Sequence, residues 1–316
     1  MRRREGRSEE KAAKLCKRDI SMEQGLIDSS KYQISIHSLD SRFSDLKNNV
    51  NSEFRIRNPT PLKNIIRVRL ASVELPLVEH AFSTVKGNDT FALKVGGGIT
   101  YVQSGHLSEG NYTAAGLVNA VQTMLQNIHS SFTCTLSATS GFVTISNAVI
   151  PFTMDFSSLV PDIANRPTHW GLGYYLGFRE SIVTSIFMQS TSTYSVISTS
   201  IINVQATPYY LLQLKCPESV VNVTHRLNNE TFVDAFAKLI LKDNYYQLQF
   251  DDGSNLMRKE YTFLSPVTVP YFQVSLLDPW GKLVNMLDAD WSLTLEVTEI
   301  VNSKTFAEIS KTYARK

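Results

Sequence analysis

Six histidines are the first residues to test for chemistry, because imidazole is a common metal ligand and titrates nearest to neutral pH. His37, His80, His106, His129, His169 and His225 are scattered along the chain. No pair has the H-E-x-x-H spacing, or another ligand spacing, that would bring two imidazoles to one metal. A nucleophilic serine in a strand-to-helix elbow would read G-x-S-x-G, and that pattern does not occur. Asp288 and Asp290, in MLDADW, are paired carboxylates of the type used for acid–base work. On a strand they would share one side, where two close anions need a metal or solvent. A solvated loop ahead of the last strand is therefore expected. Gly96-Gly97-Gly98 lacks the Gly-Lys-Ser/Thr ending and the following helix of a phosphate loop. DDGSN, starting at Asp251, lacks the alternating ligands and terminal Glu of a calcium loop and reads as a hairpin turn. Cys16, Cys134 and Cys216 lie far apart with no C-x-x-C spacing, as expected of free thiols in a reducing compartment. Asn88, Asn111, Asn222 and Asn229 each open an N-x-Ser/Thr sequon. These read as chance occurrences, since no apolar secretory segment follows the basic start. The chain is read as not an enzyme, with no catalytic residue, cofactor or metal.

One further cluster combines aromatic side chains with glycines. RPTHWGLGYYLGFRE combines Trp170, Tyr174, Tyr175 and Phe178 with three glycines. Such aromatics can line a sugar site, but more often they plug one end of a β-sandwich core. A brief helical turn is expected, ending at Gly177, whose missing Cβ suits a left-handed cap.

The elements that must hold these residues are mostly strands. NPTPLKNIIRVRLASVELP, from Asn58 to Pro76, alternates Ile66, Val68 and Leu70 against Arg67 and Arg69, then slips phase so that Val73 and Leu75 become the apolar members. A strand has a period of two, so the slip predicts a β-bulge or a change of sheet at Ala71-Ser72, with all five apolar residues buried. TFALKVGGGITYVQSG reads as a hairpin. In SEGNYTAAGLVNAVQTMLQNI, Ala114, Leu117, Val118, Val121, Met124, Leu125 and Ile128 fall at helical spacing. Thr113 is its expected N-cap, after Gly110 and with Tyr112 placed to staple against Leu117. Short strands follow at Phe132–Ser137 and Phe142–Ser146. Further strands are expected at Tyr194–Val204, Tyr209–Lys215, Asp234–Leu241, Tyr246–Phe250, Tyr261–Leu264, Tyr271–Leu277 and Trp291–Thr298. The fold class is mainly β: a jelly-roll-like β-sandwich with an inserted β-hairpin/helix/β-hairpin subdomain and an extended N-terminal arm. Expected boundaries are a basic arm over 1–27, a body over 28–304 with the insertion at about 81–180, and a basic tail over 305–316. Two sandwiches divided near 180–195 are the alternative.

At 316 residues, 43% hydrophobic and 19% charged, the chain is too apolar for disorder and long enough for one large core or two moderate ones. A net charge of +2 demands no nucleic-acid or anionic-membrane partner. The first twenty residues are different. Eight Lys/Arg, including Arg2, Arg3, Arg4, Arg7, Lys11 and Lys14, stand against four Asp/Glu, a local net of 8 − 4 = +4. Acidic residues interrupt the run, which suits threading along a protein of both signs better than tight duplex binding. The arm is read as an assembly contact. No sequence-specific nucleic-acid binding and no transmembrane segment are expected.

Several segments, in order, resemble the minor capsid and other virion structural proteins of large nucleocytoplasmic double-stranded DNA viruses. They are NPTPLKNIIRVRLASVELP, LSEGNYTAAGLVNAVQTML, YYLGF, TPYYLLQLKCP, TFVDAFAKLIL and VSLLDPWGKLVNMLDADWSLTLEV, and they span about residues 53–298. The resemblance implies a non-enzymatic component of an icosahedral shell, assembled in host cytoplasm and located in the virion. Its implied partners are the major capsid protein and other capsid proteins, with self-association possible in principle. It supplies no catalytic residues; Gly110, Tyr112, Thr113, Leu117, Trp170, Gly177 and Phe178 are read from the sequence pattern as structural motif positions. The alternative is a receptor- or glycan-binding module on a virion surface, using aromatics such as Trp170 or Tyr174.

Overall fold

The computed structural model describes residues 29–44, 50–157, 171–205, 207–216, 219–221, 223–226, 232–241, 247–251 and 260–301. The basic arm, the C-terminal tail, Cys16 and Trp170 lie outside the described residues.

The 24-residue strand β2 (Glu53–Pro76) organises the chain, and its length is possible because it bends. Against β18 (Ser292–Ile300), Thr294 pairs with Ser72 and Leu295 with Leu70, which leaves Ala71 as an extra residue. That is the expected bulge. A second one was not foreseen: Thr298 pairs with Arg67 and Glu299 with Ile65, which leaves Ile66 over. Each bulge inverts the side-chain phase, so the buried residues run Ile65, Val68, Leu70, Val73 and Leu75. Ile65 therefore takes the core position expected of Ile66, which is only half-buried.

Along its other edge β2 pairs with β17 (Glu260–Leu277) and then, at Val73–Pro76, with β16 (Leu248–Asp251). The ladder breaks where prolines remove donors. Between the pairs Arg57–Tyr271 and Leu62–Val269, four residues of β2 face Pro270 alone. Pro59, Pro61 and Pro270 have no N–H to give, and the Asn58 amide donates to the Val269 carbonyl instead (2.8 Å).

The remaining pairings are nested. The first strand, β1 (Ser29–His37), pairs along its length with the last, β18. The second pairs with the penultimate. The third long strand, β11 (Tyr209–Cys216), lies between β17 on one edge and β12 (Ser219–Val221) and β15 (Ala237–Ile240) on the other. A long hairpin rolled up in this way is jelly-roll-like, and the fold is mainly β. The apolar faces of β1, β2, β11, β15, β17 and β18 meet in one cluster, from Ile36 and Phe54 to Leu295 and Val297. Among the described residues no helix contributes to that cluster.

A second cluster takes all its members from residues 81–204, between β2 and β11. Two four-stranded antiparallel sheets supply it. One has the order β4 (Val102–Gln103), β3 (Ala92–Val95), β7 (Phe152–Asp155), β8 (Ile182–Thr184). The other has the order β5 (Phe132–Leu136), β6 (Val143–Asn147), β10 (Thr193–Ile197), β9 (Ile186–Met188). The helix α1 (Ala114–Ile128) packs on β5 and buries Leu117, Val118, Val121, Met124 and Leu125. Burying each such side chain is worth roughly 1.5–3 kcal/mol against exposure, before the entropy of ordering. Thr113 caps the helix by accepting from the Gly116 N–H (3.1 Å).

Several expected strands have different limits. Tyr194–Val204 ends at Ile197, because Ser198 turns the chain by accepting from the Val143 N–H and donating to the Ser200 carbonyl. Asp234–Leu241 is cut at Phe236 into β14 (Phe232–Ala235) and β15. The two strands expected at Tyr261–Leu264 and Tyr271–Leu277 are one, β17, continuous through its prolines.

Candidate functional site

The two chain crossings between the clusters, near residues 77–81 and 207–210, meet at the buried Glu79 carboxylate. Oε1 of Glu79 is 3.2 Å from Lys86 Nζ, which also donates to the His80 carbonyl (2.6 Å). Oε2 accepts from the Thr207 hydroxyl (3.2 Å) and from the Tyr210 phenol (3.1 Å). Charge and hydrogen bonds are therefore matched in a place that water barely reaches. Beside it lies a small crevice of about 120 Å³, lined in part by His80, Glu109, Asp278 and Lys282. Asp89 is fully buried nearby, and its Oδ2 bonds the Thr84 hydroxyl (2.9 Å) and His106 Nδ1 (2.8 Å). These groups are positioned for cohesion. Thr84 is the hydroxyl on Asp89, and no described contact puts a nucleophile on His106. Among the described residues, no three His, Cys, Asp or Glu side chains converge as metal ligands. Asp288 and Asp290 are exposed in the loop before β18, where Asp290 accepts from the Ser38 hydroxyl.

The aromatic cluster is largely core. Tyr175 and Phe178 are buried. Phe178 stacks on Phe156 (5.4 Å between centroids), and Tyr175 meets Phe82 edge-on (5.2 Å). YYLGF closes a single helical turn, Leu172–Tyr175, with paired bonds from the Phe178 N–H to the Gly173 carbonyl and from the Gly177 N–H to the Tyr174 carbonyl. Gly177 has φ +95°, and an added Cβ would overlap the Ser200 carbonyl. Gly110 exchanges both backbone hydrogen bonds with Phe82, and the Tyr112 ring packs edge-on against Phe82 (5.6 Å). Gly110, Tyr112, Thr113, Leu117, Gly177 and Phe178 thus all sit in or beside the second core. Tyr174 is half-buried with the Arg179 guanidinium over its ring (4.3 Å).

Two features suited to binding had no clear sequence signal. The first is a cavity of about 290 Å³ at the junction, lined by Tyr174, Asn203, Gln205, Pro208, Tyr209, Pro279 and Trp280. Its walls come from segments more than a hundred residues apart in sequence, so no local pattern announces it. The second is an apolar surface where two sheets end side by side. β8 is the last strand of one sheet and β9 of the other, and they are consecutive in the chain. Ile182, Ile186, Phe187, Met188 and Ile197 are exposed there, Ile186 by 70%. Among the described residues no strand pairs with the outer edge of β9. A consecutive Ile-Phe-Met run was the available signal. It reads as a buried strand until the topology puts it on an edge.

Comparison with known proteins adds little. No family model and no curated protein matches the chain. Among solved structures, the chain is similar to the mavirus penton protein, with TM-score 0.44 and 9% sequence identity over 85% of this chain and 99% of that one. No helix among the described residues is long and apolar enough to cross a membrane.

Proposed function

We propose that this protein is a non-enzymatic structural component of an icosahedral virus shell, a minor capsid protein that binds the major capsid protein and its neighbours. The observation that carries the reading is the apolar β8–β9 edge. Exposed apolar residues along an unpaired strand edge are a liability in an isolated protein, and edges of this kind are normally covered or charged. Ile186, Phe187 and Met188 on that edge, with Ile182 on β8 and Ile197 on β10 near it, suit a surface that another protein covers. The ordered resemblance of the sequence to virion structural proteins supports the same role. The basic arm, with Arg2, Arg3, Arg4, Arg7, Lys11 and Lys14, is the second proposed contact, acting as an assembly tether. Assembly in host cytoplasm and residence in the virion belong to this reading. The test is Ile186→Lys with Phe187→Lys. The variant should keep wild-type circular dichroism and urea midpoint but enter particles poorly when co-expressed with the shell proteins. Wild-type incorporation would refute the role of this edge.

A further inference from the structure

We infer that one end of the two four-stranded sheets is a lipid-binding tip, whose two apolar loops enter the headgroup region of a bilayer without crossing it. The loops are residues 96–101, between β3 and β4, and residues 148–151, between β6 and β7. The first follows Val95 and the second precedes Phe152, and those two residues are paired. The Gly96 N–H also donates to the Pro151 carbonyl (2.8 Å), which joins the loops. Ile99 is 91% exposed and Val149 63%, and Tyr101, Val102 and Pro151 are exposed beside them.

Composition sets this end apart. The chain as a whole is 19% charged, yet residues 95–108, 110–154 and 181–214 contain not one Asp, Glu, Lys or Arg. Both loops, the start of β5 and the β9–β10 turn all fall within those stretches. The large sheet is built differently. There Lys31, Glu296, Arg67 and Glu260 alternate in sign across β1, β18, β2 and β17, with contacts of 3.9–4.0 Å. Charges are costly to take out of water, so an end without them is the end that can leave it.

The backbone of the loops suits the same move. The Val149 and Ile150 N–H groups both donate to Asn147 Oδ1 (2.8 and 3.0 Å), and Pro151 has no N–H. The Gly98 N–H donates to the Val95 carbonyl (3.3 Å). Donors already satisfied within the chain leave water at low cost. They also have little left for a protein partner, whose interface carries roughly one hydrogen bond per 100–200 Å². A fluid bilayer needs neither those bonds nor a matching shape. Where the first loop enters β4, the Lys94 ammonium lies over the Tyr101 ring (6.0 Å), an aromatic and a cation of the kind that settle at headgroup level. With Lys94 as its cation, the tip is held mainly by apolar contact and not by attraction to anionic lipid. This binding is independent of the proposed role in a shell.

The experiment follows cosedimentation of the full chain with phosphatidylcholine vesicles. Binding should be reversible, at or below the ~10⁴ M⁻¹ of a single myristoyl chain. It should change by less than about twofold between about 0.1 M and 1 M salt, which screens any attraction from the basic arm. Ile99→Asp with Val149→Asp should weaken it by about tenfold or more. Both positions are exposed, so that variant should keep the wild-type circular dichroism and urea midpoint. Ile99→Leu with Val149→Leu should bind like wild type. In Ile99→Trp protein the added indole should shift its emission to the blue with vesicles and be quenched by brominated lipid. The inference is overturned by absence of binding to phosphatidylcholine, by equal binding of the aspartate variant, or by an Ile99→Trp emission that does not respond. Binding that requires phosphatidylserine and vanishes at high salt would also overturn it. Poor entry of the aspartate variant into particles, with no vesicle binding by wild type, would assign the tip to a protein partner instead.

Discussion

Replacing Glu79 with alanine should loosen the join between the two hydrophobic clusters. The carboxylate is 6% exposed and serves three donors at once: Lys86, Thr207 and Tyr210. Removing one partner of a buried ion pair costs about 3–5 kcal/mol, because the other charge is left without compensation. Lys86 tempers this, since its side chain is 19% exposed and it keeps the His80 carbonyl. The buried Tyr210 hydroxyl loses its bond to the carboxylate, and a hydrogen bond to a charged group is worth roughly 1.5–3 kcal/mol. The expected loss for Glu79→Ala is therefore about 3–5 kcal/mol, a large share of the ~5–15 kcal/mol that holds a typical domain folded. Glu79→Gln keeps an acceptor for the hydroxyls and should lose less than half as much. Urea unfolding followed by circular dichroism and fluorescence measures both variants, and Tyr210→Phe completes a double-mutant cycle. A coupling of about 0.5–3 kcal/mol between positions 79 and 210 is expected. A loss below about 1 kcal/mol for Glu79→Ala, or additivity across the cycle, would refute the account.

Other expectations rest on separate parts of the fold. Leu117→Ala should lower stability by about 2–5 kcal/mol and Val121→Ala by less, read as urea midpoints; unchanged midpoints would mean α1 is not packed on the sheets. Gly177→Ala should cost more than about 1 kcal/mol, since it combines a positive φ with overlap on the Ser200 carbonyl, and a neutral result would rule out that geometry. Burial pushes the Cys134 thiol from 9.0 up to about 12. The native thiol thus holds its proton where the unfolded one releases it, so stability should be unaffected below about pH 9 and fall as pH rises above it. Cys134→Ala should show a shallower decline between pH 8 and 10, and identical slopes would contradict the burial. Deleting residues 2–19 should leave the unfolding curve intact while weakening incorporation into particles, measured by the protein's ratio to the major capsid protein. Unfolding of the deleted form, or full incorporation, would exclude the tether.

What the sequence determined by itself was local and periodic. The α1 stripe, its Thr113 cap, the left-handed Gly177 and the Ala71 bulge all follow from spacings of two, three or four residues or from the stereochemistry of one residue. Tertiary structure decided what spacing cannot encode. The bulge at Ile66 sits inside an unbroken Ile-Ile pair, so either residue could face inward until β18 and the core selected Ile65. Ile186-Phe187-Met188 is apolar enough for a core strand, and only its place at the end of the order β5-β6-β10-β9 leaves it exposed. Glu79 meets Thr207 and Tyr210 across 128 and 131 residues, and Tyr174 joins Trp280 at one cavity across a similar distance. Such contacts form because the nested pairing returns β17 beside β2 and β11 beside β17, and burial then selects partners by proximity in space.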